Sequence, residues 1–245
     1  DEDELIRKLL EDLKDIVRKI LELIERDLRD IERVVRRIVK VIRDDLKKIK
    51  EVVDDIARGV PRTEELERVI KRIEELLRTS EEELDRILKE IEELLRESRR
   101  RLEEVVSAVE ELLRRVEEIV DKGRESKEDV IKLLREVVDD ILRLVEEVVR
   151  TNLEIIKRIL ELIERVIRLN LSIIRDILRL LEGTVDSELA DRDHMVLHEY
   201  VNAAGITLED VKRAITELRK NSKDILEEVR KLIDELRKRI KEVED

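Results

Sequence analysis

The sequence contains no cysteine, tryptophan, phenylalanine or glutamine. Without cysteine there is neither a disulfide scaffold nor a thiolate zinc site. Proline occurs once and glycine four times. That is too few for the turns of a β-sandwich or for the glycine-rich phosphate cradles of Rossmann and P-loop enzymes. No run approaches the ~18 consecutive apolar residues that span a bilayer. The chain opens Asp1-Glu2-Asp3-Glu4, with none of the charge pattern of a signal or transit peptide.

What is there is charge and aliphatic bulk. Of 245 residues, 49% are charged and 41% hydrophobic, the latter almost all Leu, Ile and Val. Ordinary soluble domains are roughly a quarter charged. The net charge is −12 and both signs are mixed along every segment. A nucleic-acid binder would carry a basic face, so no nucleic-acid partner is expected, and no membrane partner either.

Gly59, Gly123 and Gly183 divide the chain at near-equal intervals. Glycine suits the position just past a helix end because it adopts the left-handed conformation without a Cβ clash. Helix-start residues follow each one. Pro61 and Thr63 precede Glu64 and Glu65; Ser126 has Asp129 three residues on; Thr184, Asp186 and Ser187 precede Glu188. The pattern predicts four helices at 2–58, 63–122, 126–182 and 187–244. Each would be on the order of 85–90 Å long. Short connections between long helices predict an all-α, antiparallel, up-down-up-down four-helix bundle in a single domain, 1–245.

An internal repeat runs through the third helix. Ile141-Leu142-x-Leu144 recurs as Ile159-Leu160-x-Leu162 and again as Ile177-Leu178-x-Leu180, at a constant interval. That repeat interval is about five turns of an unstrained helix, so the same face returns without supercoiling and the helices are expected to be straight. The rare polar residues keep the same interval, from Ser80 to Ser98 and from Asn152 to Asn170. Folding the chain about Arg124 brings Ser98 level with Asn152 and Ser80 level with Asn170. Together with Ser222, these residues read as buried hydrogen-bond layers that fix register. No catalytic set is legible, and the Glu-x-x-His motif of a di-iron bundle is absent. Neither enzymatic activity nor a cofactor or metal is expected. Low diversity, strong helix formers and strict periodicity together have the look of a de novo designed protein.

One segment breaks the pattern. Both histidines (His194, His198), the only methionine (Met195), the only tyrosine (Tyr200) and the fourth glycine (Gly205) fall together in the fourth helix. The segment is Arg192-Asp193-His194-Met195-Val196-Leu197-His198-Glu199-Tyr200-Val201-Asn202-Ala203-Ala204-Gly205-Ile206-Thr207. Threaded as helix, it continues the later stripe of Leu208, Val211, Ile215 and Leu218 back through Ala204, Val201, Leu197 and His194. The fit is poor. Ala204 is small for a core position, and Gly205 in mid-helix costs about 1 kcal/mol relative to Ala. Ala204 also stands one repeat interval before Ser222, where a second layer serine is due. Threaded as strand, Met195, Leu197, Glu199, Val201 and Ala203 form one face, and His194, Val196, His198, Tyr200 and Asn202 the other. A local preference at odds with its surroundings marks a functional segment.

Residues 192–207 resemble the eleventh, C-terminal strand of green fluorescent protein, in the engineered split-tag form that carries His198, Tyr200 and Asn202. The resemblance is continuous from Arg192 to Thr207 and covers no other part of the chain. It implies a partner, the complementary ten-strand fragment, whose barrel this strand completes. It also implies that Glu199 sits beside the chromophore in trans, after complementation only; the chromophore-forming residues belong to the partner. The i, i+4 pair His194 and His198 has a zinc-compatible spacing, but the resemblance accounts for both residues.

The host is similar to designed cage-and-latch bundles of the LOCKR type, which sequester a peptide on their last helix. The resemblance implies a monomeric switch or sensor element, made by recombinant expression as a soluble cytoplasmic product. When closed, the segment is helical and unavailable; when open, it adds to the ten-strand fragment as a β-strand. A helix-displacing key peptide or analyte would be the trigger. The alternative is a structural scaffold carrying a threaded or constitutively accessible tag, with no switching.

Overall fold

The structure, a computed structural model, describes the backbone of residues 1–59, 64–182 and 187–245. Within these spans the side chains of 55, 56, 59, 65, 66, 177, 180–182, 187–194, 196, 197 and 200–207 lie outside the described set. Among the described residues the secondary structure is all-helical, in four elements: α1 (Glu2–Gly59), α2 (Glu64–Lys122), α3 (Lys127–Glu182) and α4 (Ser187–Glu244). The expected bounds differ from these by at most one residue at any end, within the usual latitude of helix termini.

The helix boundaries have local causes. Asp1 caps α1, accepting the backbone N–H of Asp3 on its carboxylate at 3.4 Å and that of Leu5 on its carbonyl at 3.2 Å. Between α2 and α3, Gly123 takes φ = 60° and donates its N–H to the Val120 carbonyl at 3.2 Å. This is the left-handed turn that ends a helix without steric cost only at glycine. Three residues on, Ser126 caps α3: its Oγ accepts the Asp129 N–H at 3.2 Å and its carbonyl accepts that of Val130 at 3.0 Å. Gly59 is the last residue of α1 rather than the first beyond it. Pro61, Thr63, Gly183, Thr184 and Asp186 lie outside the described residues.

All four helices contribute to each of two compact units. The first comprises Asp1–Glu32, Leu95–Ile156 and Glu217–Asp245; the second comprises Arg33–Leu94 and Lys157–Thr216. In the first, Leu13, Ile20, Ile24 and Leu28 of α1 pack with Leu102, Val109 and Val116 of α2, Leu134, Val138 and Ile141 of α3, and Val229, Ile233 and Leu236 of α4. These are the a/d-type stripes of amphipathic helices, buried together because no other apolar surface is available to them. In the second, Ile49 and Val53 of α1 pack with Ile73 and Leu77 of α2 and with Ile173, Ile174 and Leu178 of α3. The apolar stripe is least concentrated in α4, the helix that contains the divergent segment. No helix among the described residues is long and apolar enough to cross a membrane.

Candidate functional site

The whole of 192–207 lies inside α4. In a helix each N–H is committed to the carbonyl four residues back, so no row of backbone groups is left for strand pairing. Three side chains of the segment are described. Met195 is 67% exposed, the most exposed large apolar side chain among the described residues, and His198 and Glu199 are exposed as well. Arg192, Asp193, His194, Val196, Leu197, Tyr200, Val201, Asn202, Ala203, Ala204, Gly205, Ile206 and Thr207 have helical backbone, and their side chains lie outside the described set. Among the described residues no group of three or more His, Asp or Glu side chains is placed to hold a metal ion.

The first compact unit contains a buried polar layer. Ser98 on α2 donates its hydroxyl to Asn152 Oδ1 on α3 at 2.7 Å. Ser222 on α4 donates to Asp27 Oδ1 on α1 at 2.8 Å. Asn152 Nδ2 reaches Asp27 Oδ2 at 3.5 Å, the long limit for a hydrogen bond, and so joins the two pairs. All four residues are buried, Ser222 completely. Arg99 of α2 flanks the layer, donating to Glu25 and Glu32 of α1. Every buried polar side-chain atom among the described residues has a partner. A satisfied layer of this kind penalises any register that leaves its groups unpaired.

A second layer lies in the other unit. Ser80 donates to Asn170 Oδ1 at 2.9 Å, and both residues are buried. This pair is the Ser98–Asn152 pair displaced by one repeat interval on each helix.

Asp27 is the member that the sequence reading missed. It is only 2% exposed although it is one of 66 acids. Burial raises its carboxyl pKa above the ordinary 3.8; hydrogen bonds from Ser222 and Asn152 act in the opposite sense, and Asp30 adds to the rise. The signal available in the sequence was position. Asp27 adjoins the core residue Leu28 and recurs one repeat interval later as Asp45, beside the core residue Leu46. With it, all four helices supply a polar group to the first layer.

The arrangement offers a helix pinned at one polar layer and, N-terminal to that layer, a segment whose composition suits a strand. In comparison with known proteins, no family model, no curated protein and no solved structure matches the chain.

Proposed function

We propose that this chain is a de novo designed, antiparallel up-down-up-down bundle that cages the eleventh strand of green fluorescent protein in helical form. On opening it presents that strand to the complementary ten-strand fragment. The observation that carries the reading is the helical state of 192–207 within α4. A segment that must hydrogen-bond as a strand to complete a barrel is here committed to a helix, so its release has to precede complementation. The affinity of the partner is then reduced by the fraction of chains that are open.

The antiparallel connection is supported by cross-helix pairs in the first unit. Lys14 of α1 meets Glu117 of α2 at 2.6 Å, while Glu32, further along α1, meets Arg99, earlier in α2. On α3 and α4, Asp139 meets Arg237 at 2.8 Å and the later Glu146 meets the earlier Arg230 at 3.2 Å. Progress along one helix is retreat along its neighbour.

The segment from Arg192 to Thr207 is a short insert in a chain that is otherwise repetitive Leu, Ile, Val and charge. Such a host supplies shape and stability, while the segment supplies recognition. In complex, Glu199 lies beside the partner's chromophore. A helix-displacing peptide or analyte serves as the trigger, and the chain acts as a monomer.

A second reading, a scaffold with an accessible tag, is favoured by the exposure of Met195, His198 and Glu199. One experiment separates the two. The purified chain is mixed with the ten-strand fragment, and green fluorescence is followed beside an equimolar free tag peptide. Caging requires much slower or absent signal from the chain. Signal equal to that of the peptide sinks caging and leaves the tagged scaffold. No signal from either the unfolded chain or the peptide sinks the strand assignment itself.

A further inference from the structure

The two polar layers are separated by one repeat interval, Ser80 to Ser98 on α2 and Asn152 to Asn170 on α3, and they are not equally complete. In the first, the Asp27 carboxylate receives Ser222 at 2.8 Å and Asn152 at 3.5 Å. In the second, Asp45 stands on α1 where Asp27 stands in the first, and Asn170 stands where Asn152 does. Asp45 is half-buried, yet among the described residues no side-chain hydrogen bond reaches it. The α4 residue one repeat interval before Ser222 is Ala204. Alanine has no hydroxyl, so it cannot donate to a carboxylate however it is placed. Burial pushes the Asp45 carboxyl above its ordinary value, with Lys48 pulling it down and Asp44 pushing it up. Both of those charges belong to α1 itself, so they do nothing to hold α4 in place.

We propose that, because the α4 position one repeat interval before Ser222 is an alanine and brings no hydroxyl to the second layer, residues 192–207 open ahead of residues 217–245, which Ser222 and Asp27 hold, with Asp45 acting as a positioning residue that governs release of the segment. The consequence for partner access rests on the caging function proposed above; the order of opening does not. The two stretches belong to different compact units, α4 entering the first unit only from Glu217. Sub-global opening in contiguous units of this kind is general in proteins. A half-buried carboxylate that receives no donor from a neighbouring helix is partly desolvated in the closed state without a compensating cross-helix bond, which lowers the cost of opening there.

Amide hydrogen exchange on the full chain, read by mass spectrometry, tests the proposal without any partner. In the parent chain, peptides from 192–207 are expected to exchange at least about tenfold faster than those from 217–245. Ala204→Ser restores a donor and is expected to slow exchange of 192–207 about tenfold, equivalent to ~1.4 kcal/mol, with 217–245 unchanged. Asp45→Leu removes the carboxylate and is expected to slow 192–207 as well. In that background Ala204→Ser adds nothing, because its acceptor is gone. Equal exchange along α4 in the parent chain would overturn the proposal. So would an Ala204→Ser effect that persists undiminished in Asp45→Leu. If the exchange pattern holds but the ten-strand fragment never fluoresces with the released segment, the caging function fails and the order of opening stands.

Discussion

Ser222 on α4 donates a 2.8 Å hydrogen bond to the buried carboxylate of Asp27 on α1, across 195 residues of sequence. It is the one side-chain hydrogen bond among the described buried groups that ties the last helix to the first. Hydrogen bonds to charged groups contribute roughly 1.5–3 kcal/mol, against about 1 kcal/mol for neutral pairs. Ser222→Ala is therefore expected to destabilise the fold by about 2 kcal/mol. Ser98→Ala and Ser80→Ala, each removing a neutral donor to an asparagine, should cost about half as much. Denaturant midpoints of the three variants at constant slope give the ranking. Equal losses would mean that Asp27 is not charged in the folded protein.

The Asp27 carboxyl also predicts an unusual pH response. Burial raises its pKa in the folded chain above the ordinary 3.8 that it regains on unfolding. Between those two values the folded state binds the proton more tightly than the unfolded state does. Stability contributed by this group therefore rises as pH falls through the window, and is lost again as pH climbs past the folded value. This is opposite to the usual salt-bridged carboxylate. Asp27→Asn cannot titrate, so its stability relative to the parent should decline as the solution is acidified from neutral. Parallel stability curves for parent and variant between neutral pH and about pH 4 would refute the assignment.

The helices were legible because their punctuation is chemical. Gly123 and Ser126 announce the α2–α3 turn, and the structure gives them φ = 60° and an N-cap bond at 3.2 Å respectively. The Ser98–Asn152 and Ser80–Asn170 pairs were legible because serine and asparagine are scarce here, so their spacing stands out. Asp27 was not, because composition hides it: an acid beside an apolar stripe is ordinarily the solvated edge of a helix. Only three-dimensional packing shows which edge residues the neighbouring helices cover. The sequence places 192–207 inside the fourth helix by its boundaries, although the alternation within the segment suits a strand better than a helix. The backbone there is helical, an instance of surroundings overriding local preference.

Gly123 offers a clean test of backbone strain. A Cβ built at this position meets no atom within 4 Å, so any penalty for a side chain comes from φ alone. Left-handed backbone costs an L-residue with a Cβ about 1–2 kcal/mol. Gly123→Ala should lower stability by that amount, and Gly123→Asn by less, because asparagine tolerates this region. Thermal midpoints measured side by side would reveal the order. If alanine and asparagine behave alike, the turn has moved to another conformation.

On the caging function proposed above, Gly205 connects helix propensity to access. It lies in the interior of α4, where glycine is about 1 kcal/mol less favourable than alanine. Gly205→Ala stabilises the helical form of the segment without adding a polar contact. If release of the helix limits complementation, the open fraction falls about fivefold and the rate with the ten-strand fragment falls with it. The same substitution in a free tag peptide measures any effect on the strand within the barrel, and the ratio of the two changes isolates the cage. Because alanine also suits a strand better than glycine does, the peptide should be unharmed or faster while the full chain slows. Equal changes in peptide and chain would show that helix stability does not control access to the segment.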